Sequence, residues 1–87
     1  MPTAAFQLQP FDDLIAQLRA RGRATAADSI AGVKAIAWTT SQEMIGELGL
    51  AVLRLQAEKK SFPPELIPLA NRCMTEVRKV WPDIRLT

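Results

Sequence analysis

Glu43 and Glu47 stand four residues apart, which brings two carboxylates onto one face of a helix. Paired carboxylates can hold a hard cation or exchange a proton with a substrate. The neighbouring residues argue for a simpler role. Thr40-Ser41-Gln42-Glu43 reads as a capping box: the Thr40 hydroxyl accepts from the Glu43 amide, and the Glu43 carboxylate reaches back to the Thr40 amide. Both acids then occupy the first turns of a helix, where negative charge suits the positive end of the dipole. The chain has no histidine and no tyrosine, which removes the commonest general base, the commonest metal ligand and the phenolic acid. We expect no metal site and no catalytic site at this pair.

Cys73 is the single cysteine, so no internal disulfide framework is available, which fits a reducing compartment. It falls on an apolar helical stripe, where a free thiol behaves as a small hydrophobe. A nucleophilic role would need a neighbouring base or cation to lower its pKa. Arg72 is adjacent but belongs to the polar face. No Gly-x-Gly-x-x-Gly, P-loop, His-Glu-x-x-His, Cys-x-x-Cys or Gly-x-Ser-x-Gly is present. The expectation is therefore a protein that is not an enzyme and takes no cofactor.

The chain has 87 residues, enough for one domain over 1–87 and no more. Hydrophobic residues make up 48% and charged residues 23%, a globular composition. Apolar residues are scattered rather than collected into the ~18-residue run of a membrane span. The start has neither a basic stretch nor an apolar run, so no secretory leader is expected, and a cytoplasmic location follows. The net charge of +2 is too small for a dedicated nucleic-acid binder. The charge does cluster locally, with Arg19, Arg21 and Arg23 alternating around Gly22.

Hydrophobic periodicity predicts an all-α fold, a bundle or orthogonal array of three to four helices at about 11–21, 25–38, 41–60 and 64–81. The first carries Phe11, Leu14, Ile15 and Leu18 on one stripe, acids at its start and arginines at its end. Gly22 is placed to close it in the left-handed region. The second is alanine-rich, with Thr25 as a candidate cap, Ala26, Ile30, Val33 and Ala37 on one face, and Gly32 as a candidate contact point. The last carries Leu66, Ala70, Cys73, Val77 and Val80, with Leu69, Met74 and Trp81 alongside. Pro68 argues that 64–67 form a separate turn before the regular helix. Residues 1–10 read as an N-terminal arm and 82–87 as a C-terminal tail. Both alternate apolar and polar, compatible with a short ribbon that is marginal by itself. Trp38 and Trp81 each end a helix, where an indole can anchor a partner or cover a small core.

The third segment carries two apolar faces. Met44, Ile45, Leu48, Ala51, Val52 and Leu55 make a core face. Gly46, Gly49, Leu50, Leu53 and Ala57 lie opposite, with 46, 50, 53 and 57 following the 4-3-4 spacing of packed helices. Glycine there lowers helix propensity by ~1 kcal/mol, a cost with no use on a solvated face. Either the helix is central, with the first two helices on one side and the last on the other, or part of its second face meets another chain, most simply its own copy. The expected function is a small interaction module that binds a protein partner or forms a homodimer. Gly46, Gly49, Leu50, Leu53 and Ala57 form the contact, with Arg19, Arg21 and Arg23 as an electrostatic rim. The alternative is a small DNA-binding regulator with a degenerate helix-turn-helix in Ser41–Lys60. Its turn would sit at Gly49, or at Leu50 with Gly46 as the small residue before it, and Arg54, Gln56, Lys59 and Lys60 would be its polar readers. That pattern fails at Ile45 or at Leu50, depending on register, and a continuous helix fits these residues better.

Overall fold

The computed structural model describes residues 6–36, 38–58 and 62–86. Four α-helices follow one another: α1 (Gln9–Ala20), α2 (Ala24–Ala35), α3 (Ser41–Ala57) and α4 (Ile67–Arg78), with a 3-10 turn at Pro64–Leu66 before α4. The fold is all-α, and no strand occurs among the described residues.

Local chemistry explains most of the boundaries. α1 begins two residues before the expected start because Pro10 lies in its first turn, where a missing amide costs nothing. It closes at Gly22, whose φ is 76°. The Gly22 amide donates to the Arg19 carbonyl at 3.1 Å and the Arg23 amide to the Leu18 carbonyl at 2.8 Å, a Schellman closure. α2 starts directly from Arg23 with no side-chain cap, so Thr25 lies inside the helix rather than capping it. It stops at Ala35, short of Trp38, where Ile36 turns extended. The Trp38 indole N–H donates to the Val33 carbonyl at 2.7 Å, which also accepts from the Ile36 amide at 3.3 Å in the closing turn.

α3 opens on Thr40, whose hydroxyl oxygen accepts from the Glu43 amide at 3.1 Å. The return contact differs from the expected one: the Thr40 hydroxyl donates to the Glu43 carboxylate at 3.2 Å. The helix passes through Gly46 and Gly49 without a turn. Its expected end, 58–60, falls largely outside the described residues. Pro64–Leu66 forms the separate turn that Pro68 demanded, and Pro68 then sits in the first turn of α4.

The packed neighbours are α1 with α2, α2 with α3, α3 with α4 and α4 with α1, which closes the four helices into a ring. α1 therefore lies diagonal to α3 rather than beside it, and α2 and α4 flank α3. Phe11, Leu14, Leu18, Ile30, Ile45, Leu48, Val52, Cys73 and Val77 fill the centre fully buried. Ala27, Phe62 and Leu66 belong to the same buried cluster. No polar side chain is buried among the described residues, so the core holds together by apolar area and shape alone.

Both ends of the described chain pack on helices rather than on each other. Phe6 and Leu8 lean on the core, and the Gln7 amide donates to the Glu76 carboxylate on α4 at 2.9 Å. Ile84, in the tail, also packs on the core. A ribbon between the ends is thus replaced by two separate dockings. Residues 1–5 and Thr87 lie outside the described residues.

Candidate functional site

The second face of α3 is partly covered from within. A Cβ built on Gly49 would lie 2.6 Å from Val77 Cγ1 and 3.2 Å from Ile84 Cδ1. Gly49 thus lets α4 and the tail close against α3. A Cβ on Gly46 would lie 3.0 Å from the Trp81 indole nitrogen. The two glycines therefore seat side chains from this same chain, not a foreign backbone. Gly32, the other glycine expected at a contact, has nothing within 4 Å of an added Cβ. Its face of α2 is open.

Trp81 is held in place by more than packing. Its indole N–H donates to the Gln42 carbonyl in the first turn of α3 at 2.8 Å. Its amide donates to the Val77 carbonyl at 2.9 Å, in the turn that ends α4 before Pro82. The ring caps the bundle yet stays 44% exposed. It is neither a core residue nor a free anchor, and one face is left open.

That open face borders a groove of about 360 Å³ lined by Trp38, Glu43, Gly46, Glu47, Leu50, Trp81 and Ile84. Leu50 is half-buried here but is not among the side chains packed on the main core. Leu53, its expected companion, does pack on that core while remaining partly exposed. Ala57 is exposed at the end of the helix. The contact face expected from spacing thus divides into Gly49, covered by the fold; Gly46 and Leu53, partly covered; and Leu50 and Ala57, outward-facing. Trp38, Trp81 and Ile84 join it from loops and tail. Periodicity within one helix cannot bring in residues from distant segments. The usable signals were Pro82, which turns the chain after Trp81, and the apolar alternation of the tail.

The expected arginine rim lies elsewhere. Arg19 pairs with Asp28 at 3.0 Å and Arg21 with Glu65 at 2.9 Å, tying α1 to α2 and to the turn before α4. Arg23 makes no ion pair among the described residues. Lys34 on α2 pairs with Asp12 on α1, and Lys79 with Glu76 at 2.9 Å. By contrast Glu43, Glu47 and Arg54, the charges on the outward side of α3, make no ion pair among the described residues.

Cys73 is fully buried, and desolvation pushes its thiol up to about 12 despite the opposing charge of Arg72. A thiol so placed is protonated and shielded, the reverse of an activated nucleophile. Among the described residues, no group of three cysteine or acidic side chains gathers as metal ligands would. No helix is long and apolar enough to cross a membrane among those residues. No family model, no curated protein and no solved structure matches the chain.

Proposed function

We propose that this chain is a small non-catalytic interaction module that docks another helical protein surface on the outward face of α3. The observation that carries the reading is the groove beside Leu50. A leucine that is not among the side chains packed on the core lines this groove together with two tryptophans, each fixed by an indole hydrogen bond. Tryptophan and leucine arranged around a recess make the kind of centre that dominates protein–protein contacts. The carboxylates of Glu43 and Glu47, which make no ion pair among the described residues, border it as a polar rim. The single thiol, buried and protonated at neutral pH, is consistent with a non-catalytic role. Cytoplasmic residence belongs to the same reading, since that thiol needs no oxidising compartment.

A photoreactive amino acid placed at Leu50, and separately at exposed Ala16 on α1, tests this in cells that make the protein. Illumination is expected to give one discrete adduct from position 50 and none from position 16. No adduct from position 50, or the same ladder from both positions, would contradict the assignment.

A further inference from the structure

We infer that the occupant of this face is a second copy of the same chain, laid antiparallel along α3 with Leu50 on the two-fold axis; this rests on reading the outward side of α3 as a docking surface. At about 100° per residue, Leu50 lies at the centre of that side. Glu43, Glu47 and Arg54 fall within about 60° to one flank, and Ala57, Gly46 and Leu53 within about 60° to the other. The first flank is polar and the second apolar.

The division of the flanks and the order of charge along α3 decide between orientations. The two acids precede Leu50 and Arg54 follows it. A parallel pair, related by a two-fold axis along the helices, would set each polar flank against the apolar flank of the other copy. A two-fold axis perpendicular to α3 instead keeps each flank opposite itself and reverses its direction. Glu47 of one copy then lies at nearly the same height as Arg54 of the other, with about 1.5 Å of axial offset. Symmetry repeats the pair on the far side of the axis. Within one chain neither Glu47 nor Arg54 makes an ion pair among the described residues.

The apolar flank matches in the same register. Leu53 of the second copy falls at the height of Gly46, where it meets the Trp81 ring that lies over this glycine and is 44% exposed. Leu50 meets Leu50 at the centre. One symmetry operation thus pairs both flanks, with no new conformation required of either chain.

Sedimentation equilibrium on the full chain and three variants tests the assignment. The parent is expected to approach twice its monomer mass as concentration rises. Glu47→Arg and Arg54→Glu each replace two attractions per dimer by two repulsions and are expected to weaken association about tenfold. The double variant Glu47→Arg/Arg54→Glu is expected to recover parental association, which a merely misfolded variant would not. A parent that stays monomeric to millimolar concentration overturns the inference, as does a dimer indifferent to the charge exchanges or one that the double variant leaves weak. An adduct from position 50 with a different protein, beside a monomeric parent, would end the self-pairing while leaving the docking face standing. No adduct at all would end both.

Discussion

Two glycines of identical chemistry carry opposite predictions because their surroundings differ. At Gly32 an added methyl meets open space, so Gly32→Ala is expected to stabilise the fold by up to ~1 kcal/mol through helix propensity. At Gly49 the same gain is outweighed by a 2.6 Å approach to Val77 Cγ1. Gly49→Ala is expected to destabilise by ~1–3 kcal/mol, the usual cost of overpacking. Denaturant titration of both variants checks the pair of signs. Cys73 offers a second check. Its folded thiol has a pKa raised from 9.0 to about 12 by burial. The unfolded chain therefore loses its thiol proton first as pH rises. Stability owed to Cys73 is intact below pH 9 and erodes between 9 and 12. At neutral pH, alkylation of Cys73 should proceed only through opening of the fold, at a rate that rises with denaturant.

Individual helices differ in how openly they declare themselves. The start of α3 was written in Thr40 and Glu43, and Thr40→Ala is expected to cost ~1 kcal/mol, measurable as a lowered urea midpoint. The split at Pro68 and the closure at Gly22 were equally legible, because proline and glycine act on their own backbone. The ends of α2 and α4 were not. α2 stops where the Trp38 indole reaches the Val33 carbonyl, and α4 stops where Trp81 swings onto α3. Pro82 bounds α4 from beyond, but where each helix stops follows from where an indole finds its carbonyl, five residues back for Trp38 and on another helix for Trp81, which periodicity does not show. The same limit explains why Gly46 and Gly49 could be recognised as covered positions, while Trp81, Val77 and Ile84 could not be named as their cover. The arm before α1 gives a pH test. Hydrogen bonds from Lys79 and the Gln7 amide hold the Glu76 carboxyl below its ordinary value. That contribution is present above about pH 4.5 and is lost as pH falls through the lower folded pKa. Glu76→Gln should flatten the acid limb of the stability curve and loosen protection of the Gln7 amide in hydrogen exchange.

The bundle as assembled spans 41 × 24 × 23 Å and keeps no polar side chain in its core among the described residues. Three of the four ion pairs among the described residues tie separate elements, α1 to α2 twice and the end of α1 to the turn before α4, while Lys79–Glu76 is local to the end of α4. The outward side of α3 carries charges of both signs that make no ion pair among the described residues, around a leucine the core leaves out. On this account, that side is where the molecule meets its own copy. The most direct measurement is the solution mass of the parent and of Leu50→Glu across concentration, with helicity monitored in parallel. The parent should climb towards twice its monomer mass, and Leu50→Glu should remain a monomer with undiminished helix content. A variant that associates as strongly as the parent, or a parent that never associates, would contradict the account.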